Sequence, residues 1–204
     1  TRNYVTYIDK EAEQMLVAAL QKTFPEAGFL TEENTVTFEQ RAFTWIIDPL
    51  DGTTNYVHGD TPFSVSIALY ATEKGKAFLN DLPLQVSRQS SLENGYIGFG
   101  IPYSLDEKGE QILQHTMRQF RKCSFRIKGS AALEICYVAA GVSDAYFHSG
   151  LSPWDVAAGA FILQCAGGRC TDFSNGSNYI FGKEMVASNG AIHKEIMNYI
   201  IQGH

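Results

Sequence analysis

Trp45-Ile46-Ile47-Asp48-Pro49-Leu50-Asp51-Gly52-Thr53-Thr54-Asn55 sets two acids at the end of an apolar run and follows them with Gly-Thr-Thr. Phe43, Trp45, Ile46 and Ile47 are the aromatic and β-branched side chains that a buried strand favours. Pro49 is expected to end that strand, because proline cannot donate to a ladder and fixes φ for a turn. Asp48 and Asp51 can then converge, and the Leu50 carbonyl, freed from sheet pairing, offers another oxygen of the kind Mg2+ or Ca2+ accepts. Gly52 permits close backbone approach, and the N–H groups of Gly52 and Thr53 could face an anion if a helix or turn begins there. On its residues alone the stretch fits two arrangements. One is a cation with a phosphate beside it; the other is an Asp-Pro-x-Asp-Gly turn with solvated acids.

On either side of this stretch, periodicity and punctuation give an alternation of helices and strands. Ala12, Met15, Leu16, Ala19 and Leu20 fall at helical spacing between Asp9 and Lys22, and Pro25 stops the pattern. Strands are expected over Phe43 to Ile47, over Phe63 to Tyr70 with its period of two, and near Tyr96 to Phe99. A helix follows from about Leu105 to Phe120, a strand over Ser124 to Ile127, and a small-residue helix from Ala131 to Ala140 closed by Gly141. Ala145 to His148 reads as a strand and Trp154 to Ala166 as a buried helix ended by Gly167-Gly168. Strands around Arg169 to Thr171 and Met185 to Ser188 precede a last helix from Ile192 to Ile201. The interleaving predicts an α/β or α+β class in layers.

Composition bounds the partners. The chain has 204 residues, of which 45% are hydrophobic, with no separable low-complexity block, so one unit with a sizeable core is expected. A formal charge of −6 and the lack of a Lys or Arg run argue against nucleic acid as the main partner. A phosphate-bearing substrate would then need metal to offset the repulsion. Cys123, Cys136, Cys165 and Cys170 lack C-x2-C spacing, and no apolar stretch is long enough for a membrane span or a signal peptide. Reduced thiols and a cytoplasmic location are expected. Asn175-Gly176-Ser177 matches a glycosylation sequon but reads more simply as a turn.

Further acids lie far from the first pair. Asp155, in Pro153-Trp154-Asp155-Val156-Ala157-Ala158-Gly159, falls in the first turn of a helix, where the dipole favours a carboxylate. It fits a ligand or a plain cap. Glu32 and Glu33, in the loop after the first helix, fit ligands or solvated loop acids. These elements, with Gly129-Ser130-Ala131-Ala132 between them, occur in the order found in the inositol monophosphatase family of Mg2+-dependent phosphatases, which the chain resembles from about Asn3 to its last helix. The D-P-x-D-G-T-x-N and W-D-x-A-A-G elements carry that resemblance. It implies the α-β-α-β-α sandwich of the sugar phosphatase type, as one unit over 1–204, with a metal and phosphate half to about residue 90 and a substrate half beyond it.

The resemblance also implies roles. Glu32, Asp48 and the Leu50 carbonyl would hold one metal, and Asp48, Asp51 and Asp155 a second, with Asp48 bridging; a third, weaker ion near Glu32 and inhibition by lithium are family traits. Gly52 and Thr53 would cradle the phosphate through backbone N–H groups. Asp9, Thr53 and Glu32 would form the catalytic group, the Thr53 hydroxyl pairing with Asp9 of Val5-Thr6-Tyr7-Ile8-Asp9 to help deprotonate the attacking water. Asp51, Gly129, Ser130, Ala131, His148 and Asp155 would line the substrate, and Glu33 would support or stay solvated. Two or three Mg2+ ions per site, a small phosphorylated substrate and a homodimer complete the set. Two ions can activate water and stabilise the leaving oxygen, help that a phosphate monoester needs.

Departures from the family pattern fall in three places. The family's leading helix and a lysine upstream of the V-T-x-x-D element have no counterpart, although Arg2 sits nearby. After Tyr70 a further pair of strands is missing, since Glu73-Lys74-Gly75-Lys76-Ala77-Phe78-Leu79-Asn80 follows almost at once. A segment left out of the chain is expected rather than a shortened sheet, because losing central strands would expose ladder groups and apolar surface. Third, inositol-preferring relatives carry glutamate seven residues before the Trp-Asp aspartate, where this chain has His148, whose charge could suit a second anionic group. Inositol monophosphate leads the candidates, with fructose 1,6-bisphosphate and 3′-phosphoadenosine 5′-phosphate as alternatives. A metal-binding regulatory relative without catalysis is the reading from another class, and a pure Ca2+ module is disfavoured because the acids are dispersed.

Overall fold

Strand β2 (Thr44–Asp51) is the middle of a three-stranded sheet, parallel to β1 (Gly28–Thr31) and antiparallel to β3 (Ser64–Tyr70). The computed structural model describes residues 7–39, 41–70, 76–102 and 105–203. Thr6 and earlier residues, and Glu73 to Gly75, on which parts of the motif reading fall, lie outside that set. β2 does not stop at Pro49. It pairs onward until Asp51 stands opposite Ser64, with a register shift between Asp48 and Asp51. Pro49 is tolerated because it falls in the irregular stretch, where no ladder N–H is required. The shift also has a geometric effect: residues three apart on a regular strand point to opposite faces, whereas here Asp48 and Asp51 bring carboxylate oxygens together.

Helix α1 (Tyr7–Thr23) covers one face of this sheet, packing Leu16, Val17 and Leu20 against Phe29, Trp45 and Ile47. The short helix α2 (Thr53–Val57) follows β2 directly. A two-residue hairpin, β4 (Phe78–Leu79) and β5 (Leu82–Pro83), turns through Asn80 and Asp81, both at positive φ. Neither β1 nor this hairpin is visible in the sequence pattern.

The second sheet has the order β7-β6-β8-β10-β9, formed by β6 (Tyr96–Phe99), β7 (Ser124–Arg126), β8 (Ala145–Ser149), β9 (Arg169–Thr171) and β10 (Glu184–Ser188). Helices α4 (Ala131–Ala139) and α5 (Pro153–Cys165) lie between the sheets. Ile135, Val138, Val156, Ala160 and Leu163 pack with Tyr146, Met185 and Ala187 on one face of the second sheet. Its other face places Ile97, Phe99, Ala145, Phe147 and Val186 against α3 (Glu107–Arg118), α6 (His193–Ile196) and the π-helical turn Met197–Ile201. The last helix is therefore expected in the right place, but its second half is wound more widely than an α-helix. The layers run α-β-α-β-α, as expected. The pleat of β8 sends Ala145 and Phe147 one way and Tyr146 and His148 the other, towards the gap between the sheets.

β3 is the outer strand of its sheet among the described residues. Its Val65, Ile67 and Leu69 are 55%, 37% and 40% exposed. Apolar side chains so exposed along one strand agree with the expectation that neighbouring strands are missing after Tyr70.

Candidate active site

Four acids from three elements meet where the sheets approach. Asp48 and Asp51 come from the bulged end of β2, Glu32 from the residue after β1, and Asp155 from the first turn of α5. One oxygen from each of Asp48, Asp51 and Asp155 lies within 4.8 Å of the others, and the Glu32 carboxyl hydrogen-bonds to Asp48. Burial, followed by the charge of Glu32, pushes the Asp48 carboxyl well above the usual range. Burial raises Asp51 as well, against the hydrogen bonds it accepts. Glu32 rises to about 7 and Asp155 to about 6, again chiefly through burial, with neighbouring carboxylates adding to it. Among the described residues, no Lys or Arg side chain lines the cavity that the four acids floor. Carboxylate oxygens largely shielded from water and, among the described residues, without a cation partner are the donor set of a hard divalent metal, and the residues present fit one.

Each carboxylate is aimed by its neighbours. Asp51 accepts hydrogen bonds from the Ser130 hydroxyl, from Ala131 N at 3.3 Å and from Ala132 N at 2.9 Å, so it seats on the N-terminus of α4. Asp155 accepts from Ser152 N at 2.6 Å in a capping box that fixes the start of α5. Asp48 accepts from Leu50 N at 2.9 Å. Glu33 stands aside from the cluster, its backbone N–H donating to Glu13 at 2.8 Å.

Gly52 turns the chain from β2 into α2 at φ 88° and ψ 32°, and a Cβ there would stand 2.8 Å from the Pro62 carbonyl oxygen, so only glycine fits. The Thr53 hydroxyl lies 2.8 Å from the Leu50 carbonyl oxygen and 3.4 Å from Asp9. The expected Thr53–Asp9 pair is present, and the shorter contact is to Leu50. Asn55, quoted in the motif but given no role there, donates to Pro62 O and Lys128 O, both at 2.8 Å. It ties α2 to the segment that leads into Gly129. Its place in the motif gives no hint of the Lys128 partner, which is 73 residues away.

The cavity above the acids holds about 500 Å³. Gly129, Ser130 and Ala131 line it, as do Tyr146 and His148 from β8. Glu134 lines it too and was not anticipated: it is fully buried in α4, accepts from Lys128 N at 2.9 Å and lies 3.7 Å from the Lys128 ammonium. The His148 ring covers the face of Gly100, and burial lowers its pKa to about 4. It is neutral at pH 7, which corrects the expectation that its charge could suit a second anion.

The inositol monophosphatase family model matches residues 1–76 and 70–203. The chain belongs to the inositol monophosphatase family. It is 38% identical over 219 residues to the fructose-1,6-bisphosphatase/inositol-1-monophosphatase of Thermotoga maritima, covering 98% of this chain and 83% of that protein. It is 36% identical over 222 residues to the Nus factor SuhB of Pasteurella multocida, with the same coverage. The crystal structure of the extragenic suppressor protein SuhB from Bartonella henselae superposes with a TM-score of 0.91 at 32% identity, covering 100% of this chain and 87% of that one. The Pasteurella alignment spans 222 positions against a chain of 204 residues, so at least 18 positions of that family member face a gap here. The family match falls into two segments that overlap at residues 70–76, at the end of β3.

Proposed function

We propose that this family member hydrolyses a small phosphate monoester whose leaving group is uncharged, with inositol monophosphate as the leading candidate. The carrying observation is the cluster of buried Asp48 and Asp51 with half-buried Glu32 and Asp155, on the floor of a cavity that no Lys or Arg among the described residues lines. Among the described residues, such a cavity has no cationic side chain to neutralise a second phosphate away from the cluster, and His148 is uncharged. Both facts disfavour fructose 1,6-bisphosphate and 3′-phosphoadenosine 5′-phosphate. Glu32, Asp48 and the Leu50 carbonyl would hold one Mg2+, and Asp48, Asp51 and Asp155 a second, with a weaker third near Glu32. Bound there, the ions would neutralise phosphoryl oxygens and acidify a water.

The chain's own groups would do the rest. Gly52 and Thr53 N–H groups would orient the phosphate, and the Thr53 hydroxyl, within reach of Asp9, would hold the attacking water and pass its proton towards that carboxylate. Gly129, Ser130, Ala131, Tyr146 and His148 would shape the leaving-group side, where a neutral imidazole can both donate to and accept from a hydroxyl. In this reading residues to about 90 supply metal and phosphate contacts and the remainder supplies substrate contacts, with Asp155 crossing between them.

All four cysteines are free, as a reducing compartment would keep them, and among the described residues no helix is long and apolar enough to cross a membrane. A cytoplasmic homodimer is part of the proposal. The second reading is a regulatory relative that binds metal without turnover; the gap after β3 and the Nus factor name of the Pasteurella relative favour it. Release of inorganic phosphate from a panel of mono- and bisphosphate esters, with Mg2+, without it and with lithium added, separates the readings. Turnover that needs Mg2+, falls with lithium and prefers monophosphates is expected; no release from any ester would leave the regulatory reading.

A further inference from the structure

We infer that Glu13 is a positioning residue that sets divalent-metal affinity by clamping the loop that carries Glu32. The inference rests on the proposed role of Glu32 as a ligand. Glu13 is fully buried on α1, one turn after Asp9 on the same face. Both of its oxygens are spent on a single short loop: one accepts from Glu33 N at 2.8 Å, and the other from Thr35 N at 2.8 Å and the Thr35 hydroxyl at 2.7 Å. Among the described residues no Lys or Arg side chain pairs with Glu13. A buried carboxylate compensated only by neutral donors is costly to keep, so it is expected where the donors must be fixed in place.

What it fixes is the backbone beside Glu32. Glu32 N donates to Ile47 O at 3.2 Å, which continues the β1–β2 pairing by one residue and ends it. The next N–H, that of Glu33, would be unpaired without Glu13, and Asn34 follows in the left-handed region at φ 53°. Glu32 therefore sits between a strand pinned by β2 and a turn pinned by α1. The same face of α1 brings Asp9 within 3.4 Å of the Thr53 hydroxyl, so one helix registers both the acid loop and the threonine. Groups that orient metal ligands from behind typically change metal affinity 10- to 100-fold when removed.

The test is a Mg2+ titration of Glu13→Gln and Thr35→Val by calorimetry in the absence of substrate, paired with the Mg2+ dependence of phosphate release. The glutamine keeps the shape of Glu13 but turns an amide NH2 towards a cluster of donors, and the valine removes the hydroxyl bond alone. The Mg2+ dissociation constant is expected to rise about tenfold in Glu13→Gln and less in Thr35→Val. Turnover at saturating Mg2+ is expected to stay within about twofold of the unaltered protein, a split that a general loss of fold would not produce. Unchanged Mg2+ affinity in a folded Glu13→Gln protein, or lower turnover with unchanged affinity, overturns the inference. If Glu13→Gln does not fold, Thr35→Val decides in the same way. An unaltered protein that binds no Mg2+ would instead overturn the metal reading beneath it.

Discussion

Asp51 uses one carboxylate for two tasks, since the group that faces Asp48 and Asp155 also accepts the Ser130 hydroxyl and two N–H donors at the start of α4. Replacing it should therefore cost both ion binding and the seating of α4. Asp51→Asn and Asp155→Asn are each expected to lower Mg2+ affinity and phosphate release together, and undiminished turnover in either would contradict the assignment. Thr53→Ala should behave differently: its hydroxyl bonds to none of the four clustered carboxylates, and the Leu50 carbonyl it contacts stays in place as main chain, so turnover should fall by about 100-fold while calorimetric Mg2+ binding is largely retained. At this scale the sequence reading was uneven for a physical reason. Asp48, Asp51 and Asp155 stand in dense motifs, where several residue types constrain one another. Glu13, Asn55 and Glu134 are single polar residues whose meaning lies in partners 20, 73 and 6 residues away. Nothing in their local pattern distinguishes them from solvated side chains.

Most elements were legible from a period of two or 3.6 and from the turn residues that bound them. α1, α3, α4, α5, β3 and β8 lie close to their expected bounds, and so do the short β6, β7 and β9, whereas β1 and the β4–β5 hairpin were not expected. β2 shows a different limit, because Pro49 is a stop signal that a register shift overrides. The packing of α4 on α5 was also hidden. A Cβ on Gly159 would stand 2.9 Å from the Ile135 Cβ, so these helices approach as closely as they do only because that residue has no side chain. Gly159→Val should push α5 away, costing about 1–3 kcal/mol in chemical denaturation. Because Asp155 rides on the first turn of the same helix, Mg2+ affinity should weaken along with stability. A variant of reduced stability that still binds Mg2+ normally would separate the two effects.

The whole molecule stores its acids as a repulsive cluster that metal would relieve. Glu32, Asp48, Asp51 and Asp155 all have folded pKa values above those of an unfolded chain, so the fold retains protons that unfolding releases. Their contribution to stability is complete below about pH 4 and is lost as pH rises through about 6 for Asp155 and about 7 for Glu32. His148 and His193, both lowered to about 4 by burial, act oppositely: they favour the fold above about 6.5 and lose that as pH falls towards 4. The histidine effect is common to the metal-free and metal-loaded protein and cancels in their difference. The rise in melting temperature given by saturating Mg2+ should therefore grow from pH 5 to pH 7.5, measured by calorimetry at both; an equal rise would count against the cluster as the binding site. The layered class was legible at this scale because helix and strand patterns alternate, and the exposed flank of β3 was foreseeable only by setting the chain beside its relatives. Asp155 lies 104 residues after Asp51, about three quarters of the way along the chain. During synthesis the acids of β2 emerge long before α5 exists, so a chain interrupted before Asp155 carries three of the four carboxylates and cannot close the cluster: metal capture would report that translation has passed that point.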